Sequence, residues 1–175
     1  MCILTYMRGT TDNGSILAHA NVVNISTASV IEHEGKILII EESVDGKAVY
    51  NFPSGKAHLD ELIEQAALRE ATEETGYAIK LTDVVGVYYY RTKKNSNDRK
   101  KDRITVRFNF WATLASAEPI QKHTRDVLAL HWLTHEELKK LLAEKKLRNW
   151  VAEQLAQDVL ADKRVGLSAV QQFRG

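Results

Sequence analysis

Gly55-Lys56-Ala57-His58-Leu59-Asp60-Glu61, then Leu62 through Leu68, then Arg69-Glu70-Ala71-Thr72-Glu73-Glu74-Thr75-Gly76-Tyr77 is the stretch whose reading decides the fold. From Glu61 to Thr75 it holds no Gly or Pro, good helix formers dominate, and Leu62, Ala66 and Ala67 recur at helical spacing. Asp60 is a suitable N-cap and Gly76 a suitable stop, so a helix over 61–75 is expected behind a loop from Gly55 to about Asp60. On that helix Glu70, Glu73 and Glu74 stand at i, i+3 and i+4, which crowds three carboxylates onto one face. Like charges at this spacing cost about 0.2–0.5 kcal/mol per exposed pair, and more where solvent is excluded. Either the patch simply faces water, with Arg69 and Glu73 as an ordinary i, i+4 pair, or a cation offsets the repulsion. A hard divalent ion suits the second reading, because Mg²⁺ prefers oxygen ligands and takes one or two carboxylates together with waters and substrate phosphate oxygens.

Upstream of this stretch, Ala28-Ser29-Val30-Ile31 and Lys36-Ile37-Leu38-Ile39-Ile40 flank Glu34-Gly35 and read as a hairpin whose second strand is buried on both faces. Val49 to Phe52 is a short extended piece stopped by Pro53. Downstream, Val84–Tyr90 and Ile104–Leu114 are strands rich in aromatic and β-branched residues, and Val127–Leu133 is another. Thr134 and Glu137 form a capping box, with Leu133 and Leu138 as a hydrophobic staple, so a helix is expected from about His135 to Lys145. Trp150 to Ala161 reads as a last amphipathic helix. Strands interleaved with a few helices around a mixed sheet give an α/β or α+β sandwich.

The chain is 175 residues long, enough for one sizeable core, and its 24 basic residues nearly cancel its 23 acidic ones. That balance argues against a nucleic-acid or membrane-surface protein, so any preference for anions must be local. The only cysteine is Cys2, which excludes an internal disulfide or zinc cluster and points to a reducing, cytoplasmic setting. No stretch approaches the roughly 20 apolar residues of a membrane span.

The stretch from Gly55 to Tyr77 resembles the Nudix box: Gly, five residues, Glu, seven residues, Arg-Glu, an aliphatic residue, one residue, Glu-Glu, one residue, Gly and a hydrophobic residue. Gly55, Glu61, Arg69, Glu70, Glu73, Glu74 and Gly76 match every fixed identity at the right spacing. Ala71 is smaller and Tyr77 bulkier than usual at the looser positions, and Ser54 and Lys56 stand where many members carry Gly and His. Looser resemblance extends from about Ser29 to Leu142, and the run Gly46 to Pro53 looks most like Nudix phosphatases of nucleoside tri- and diphosphates and of a thiamine-precursor pyrophosphate.

The resemblance implies an α+β fold, an α/β/α sandwich with a mixed sheet between helices and a loop–helix–loop metal site. It implies a Mg²⁺-dependent hydrolase, with Mn²⁺ as a substitute, cleaving a pyrophosphate bond in a nucleoside tri- or diphosphate or a related X-linked diphosphate. Glu70, Glu74 and the Gly55 carbonyl would hold the metal, and Arg69 would orient Glu61 and Glu73. Either Glu70 or Glu74 is open as the general base. Members often use a further acid before the Trp-bearing strand as metal ligand or base, which falls on Asp126, with Glu118 as the other choice and a plain strand-edge or turn residue as the alternative for Asp126.

The segment Arg91 to Arg103 is basic and is expected in a hairpin loop, either steering phosphates or only solvated. Arg91, Tyr88 and Tyr90 are candidates for substrate binding, although strand tyrosines also serve as core. The expected organisation is a lead-in over residues 1–22, a Nudix domain over 23–146, and a helical extension over 147–175 packed on that domain. An ADP-ribose or nucleotide-sugar pyrophosphatase is the competing activity, and a non-catalytic nucleotide-sensing module the competing class. Partners are expected to be small-molecule diphosphates, with no nucleic acid and no membrane, and the sequence does not decide for or against a homodimer.

Overall fold

A computed structural model describes residues 22–92, 103–124 and 126–172. The strands are β1 (Val22–His33), β2 (Lys36–Val44), β3 (Lys47–Asn51), β4 (Ser54–Lys56), β5 (Ile79–Thr92), β6 (Arg103–Leu114), β7 (Val127–Leu133) and β8 (Val165–Gly166). The helices are α1 (Ile63–Thr75), α2 (His135–Ala143) and α3 (Trp150–Leu160). Among the described residues they build one mixed sheet in the order β3-β2-β1-β6-β5-β8, with β4 added on β1 and β7 on β2. The β1–β6 pair is parallel and runs the length of both strands, from Val22 opposite Arg103 to Glu32 opposite Thr113.

Alternation along the strands divides the core into two layers. Val30, Ile37, Ile39 and Trp111 face α2 and α3, packing with Leu138, Ala152, Leu155, Ala156 and Val159. Their neighbours Ile31, Leu38, Phe110 and Ala112 face α1, packing with Ile63, Ala66, Ala67 and Ala71. Ile37 to Ile40 are fully buried, which is why this strand reads as a continuous apolar run rather than an alternating one. Helices on both faces of a mixed sheet make the α/β/α sandwich expected from the sequence. The last segment is part of this core: Leu147 bridges to Tyr50, and α3 covers one sheet face.

Two local expectations need correction. The helix starts at Ile63, with Leu62 rather than Asp60 at the N-cap position. Glu61 is held outside the helix because its carboxylate accepts from the His58 N–H at 2.8 Å and from Arg69. The free N–H groups of the first turn are satisfied instead by Gln65 Oε1, on Leu62 at 3.0 Å, and by Gln172 Oε1, on Ile63 at 2.6 Å. The second correction concerns Gly55, which lies in β4 opposite Thr27 rather than in a loop. The N-terminal half of β1 is flanked by β6 on one side, and the Ser54–Lys56 segment satisfies the other.

The other helix signals hold. Gly76 terminates α1 at φ 79°, a left-handed position that suits glycine, and a Cβ there would also strike the Gln121 carbonyl. Thr134 Oγ1 accepts from Glu137 N–H at 3.3 Å, Glu137 Oε2 accepts from Thr134 N–H at 2.8 Å, and Leu133 packs in the same cluster as Leu138. Among the described residues no helix is long and apolar enough to cross a membrane. The basic segment from Lys93 to Asp102 lies outside the described residues.

Candidate active site

The box residues converge around the start of β4 and one face of α1. Arg69 is the hub. Its Nε and Nη2 donate to the two oxygens of Glu61 at 3.0 and 2.7 Å, Nη2 also donates to the Lys56 carbonyl at 2.9 Å, and Nη1 reaches Glu73 at 3.2 Å and Glu70 at 2.9 Å. The fork fixes β4, the loop before α1 and the helix in one arrangement, which a lysine point charge lacks the geometry to do. Hydrogen bonding from Arg69 is the main reason the Glu61 carboxyl is held down to about 2, and the same pair raises Arg69 above its ordinary range.

Glu70 presses against Gly55. A Cβ on Gly55 would fall inside the carboxylate of Glu70, so glycine is needed here for space rather than for backbone conformation. Glu74 lies deeper. Its Oε2 accepts the Ser54 N–H at 2.6 Å, while burial and the neighbouring Glu42 and Glu70 push its carboxyl up to about 8. Thus the expected carboxylates differ in state: Glu61 is strongly ionised, and Glu74 resists ionisation until a positive charge arrives.

That donor set suits a hard divalent cation. Two carboxylates, Glu70 and Glu74, stand against the Ser54–Gly55 segment, and the burial of Glu74 beside Glu42 and Glu70 makes its ionised form costly in a way that a cation would offset. Among the described residues no three His, Cys, Asp or Glu side chains form a ready-made cage. Mg²⁺ needs no such cage, since it keeps waters and borrows phosphate oxygens.

Box residues line two cavities, which have Arg148 in common. One, of about 560 Å³, is lined by Glu70, Glu73, Glu74, Glu42, Arg148 and Asp126. Asp126 is thus on the same cleft as the box acids, at its exposed rim. Glu118, the other acid considered, lines neither cavity. The second cavity, of about 320 Å³, runs from Ser54 and Gly55 across β1 and β6 to Tyr90. Tyr90 packs edge-on against Trp150, ring centres 5.4 Å apart. Tyr88 and Arg91 line neither cavity; the Tyr88 hydroxyl donates to Asp158 at 2.6 Å, beneath α3, and Arg91 is exposed on β5.

The structure adds residues that the spacing along the chain did not single out. Glu42, 9% exposed, accepts from Arg148 Nη1 through both oxygens at 2.7 and 2.9 Å and from Asn51 at 3.3 Å. Arg148 lines both cavities and comes from the segment after residue 146, so that segment contributes to the site itself. The pair spans 106 positions, and no local signal announces it. Arg107 did leave a trace: with Thr105 and Asn109 it alternates against Val106, Phe108 and Phe110, a polar face on a strand otherwise built for the core.

Comparison with known proteins agrees with this geometry. The NUDIX domain model matches residues 21–154. The chain is 31% identical to phosphatase NudJ of Shigella boydii over 117 residues, 67% of this chain and 72% of that protein. It is 30% identical to phosphatase NudJ of Escherichia coli K12 over 115 residues, 66% and 71% of the two chains. A NUDIX hydrolase from Nitrosomonas europaea superposes with a TM-score of 0.72 at 28% identity, covering 86% of this chain and 97% of that one. The MutT protein of Methanosarcina mazei shares the fold at a TM-score of 0.59 and 20% identity, over 83% and 99% of the chains. With its box complete, its acids gathered at one cleft and its sandwich shared with these proteins, the chain belongs to the Nudix family and is a Nudix hydrolase.

Proposed function

We propose that this hydrolase cleaves the pyrophosphate bond of a nucleoside tri- or diphosphate, or of a related X-linked diphosphate, in a reaction that depends on Mg²⁺. The observation that carries this reading is the placing of Glu70 and Glu74 against Ser54 and Gly55, with the two acids lining one cavity and the Ser54–Gly55 segment the other. The naming of its relatives as phosphatases also supports it. Glu70, Glu74 and the Gly55 carbonyl would hold the metal, with Mn²⁺ a workable substitute; the ion supplies charge neutralisation at the phosphoryl oxygens and a lowered pKa of bound water.

The chain's own residues do the rest. Arg69 holds Glu61, Glu70 and Glu73 in fixed rotamers, so the site needs little reorganisation when substrate arrives. The Ser54 N–H fixes the rotamer of Glu74. Either Glu70 or Glu74 would take the proton from the attacking water in place of a purely ligating role.

A phosphate-release assay over nucleoside di- and triphosphates, ADP-ribose and thiamine-precursor pyrophosphates tests the reading. The expected outcome is turnover of one or more diphosphates or triphosphates, abolished by EDTA and restored by Mg²⁺ or Mn²⁺. Preferred turnover of ADP-ribose would favour the nucleotide-sugar activity, and tight binding without turnover would favour a sensing module.

Asp126 is proposed as the further acid of the cleft. Asp126→Asn is then expected to lower kcat by about tenfold or more with an unchanged melting temperature, because the residue is exposed and removes no core contact. A near-normal kcat would assign Asp126 to the turn before β7.

A further inference from the structure

Arg107 sits in β6 with 6% of its surface exposed, yet its Nε and Nη2 meet no hydrogen-bond partner among the described residues. These two N–H groups share one edge of the guanidinium. It is the edge through which Arg69 clasps both oxygens of Glu61 at 3.0 and 2.7 Å, so the protein itself displays what such an edge accepts.

The position of Arg107 is equally informative. Ser26 of β1 pairs with Arg107 on one side and with Lys56 on the other, so a single strand separates Arg107 from the Gly55 segment. Arg107 lines the groove that begins at Ser54 and Gly55 and ends at Tyr90. Tyr90 and Trp150 line an adjoining cavity of about 360 Å³. Along the groove the order is therefore acidic cleft, buried cation, aromatic pair.

A bidentate edge left without partners on a buried charge is costly, because its N–H groups have lost water and gained nothing in its place. Burial pushes the guanidinium toward its neutral form, opposed by Tyr90 and Glu74. A neutral ring edge would satisfy the hydrogen bonds and leave the charge. An oxyanion satisfies both.

We infer that the Nε–Nη2 edge of Arg107 seats the phosphate that carries the organic group of the substrate, with a planar group of that substrate lying against Tyr90 and Trp150. The inference rests on the diphosphate-hydrolase reading above and narrows its substrate class to diphosphates of ring-bearing alcohols such as nucleosides. The base itself is not read by Arg107, so the contribution is the same for purines and pyrimidines.

The test uses the full-length protein with Arg107→Gln and Arg107→Lys. In EDTA, calorimetric titration compares AMP, GMP, CMP and UMP with the corresponding nucleosides; with Mg²⁺, KM and kcat are measured for the four nucleoside diphosphates. Wild type is expected to bind the monophosphates about tenfold or more tightly than the nucleosides, and R107Q to lose that preference for all four bases. KM for the diphosphates rises by about tenfold or more in R107Q, kcat falls less, and R107K recovers part of the loss, having charge without the fork. Without ligand, R107Q melts at or above wild type because it removes an unpaired buried charge; should it fail to fold, R107K carries the comparison. Equal binding of monophosphates and nucleosides by wild type, unchanged constants in the variants, or a loss confined to one base would overturn the inference. A monophosphate preference that depends on Arg107 in a protein without turnover would uphold this subsite and reject the hydrolase reading. Turnover indifferent to Arg107 would do the reverse.

Discussion

Glu74→Gln is expected to lower Mg²⁺-dependent turnover by about a hundredfold or more while raising the melting temperature of the metal-free protein at pH 8. The two effects have one cause. In the folded, metal-free chain the Glu74 carboxyl titrates near 8, against an ordinary value of 4.5, because it is buried beside Glu42 and Glu70. Between those values the unfolded chain releases a proton that the folded chain retains. Stability is therefore fully present below about pH 4.5 and is lost as pH rises through about 8. Gln keeps the volume and helix propensity and has no proton to lose, so its advantage over wild type should be small at pH 5 and grow toward pH 8. For a chain of this size each kcal/mol appears as about 2–4 °C. Added Mg²⁺ reverses the ranking, because wild type gains stability by mass action and the variant, short of one anionic oxygen, gains less. The measurement is a set of melts at pH 5 and pH 8, in EDTA and in Mg²⁺, beside initial rates. Full activity in the variant, or an equal Mg²⁺-induced shift in both proteins, would return this helix face to a solvated acidic patch.

Gly55→Ala should be nearly as damaging to turnover and almost silent in stability. Gly55 has no left-handed backbone to protect, so alanine adds no torsional strain in β4. What it adds is a methyl group in the space held by the Glu70 carboxylate. A carboxylate at the end of a flexible side chain moves aside at little cost, and the melting temperature should stay within a few degrees of wild type, about 1 kcal/mol. Displacing a proposed metal ligand by about 1 Å is enough for a loss of about a hundredfold in kcat. The Mg²⁺-induced shift in melting temperature should shrink with it. A Gly55→Ala variant with near wild-type kcat would show that Glu70 does not need its place against β4, and the proposed ligand set would fall.

Much of this site was legible because its parts are close together in the chain. Glu70, Glu73 and Glu74 share a helix face by spacing alone, and Gly76 stops that helix as its freedom at positive φ suggests. The Thr134–Glu137 box was equally readable, because both partners lie within one turn. Asp60 misled for the opposite reason. It has a capping side chain in the right place, but Glu61 is claimed by an arginine eight positions on, and the helix N–H groups are met by Gln65 and the remote Gln172. Tyr88 and Tyr90 could not be told apart from the strand pattern: both face α3, and only the packing sends Tyr88 to Asp158 and leaves Tyr90 at the groove.

The sequence by itself determined the family, the helix that carries the acids and the burial of β2 on both faces, since each is written in residue identities a few positions apart. Only the tertiary structure decided that Gly55 must be glycine because Glu70 lies on it, that Glu42 and Arg148 are partners across the cleft, and that Arg107, a lining residue of the groove, is left with an unpaired edge. These depend on strand register and on a helix arriving from the far end of the chain. A carboxylate on an isolated helix titrates much as it would in water; Glu74 is raised because the fold buries it and sets Glu42 of β2 beside it with Glu70, which outweighs the lowering by the Ser54 N–H and Arg148.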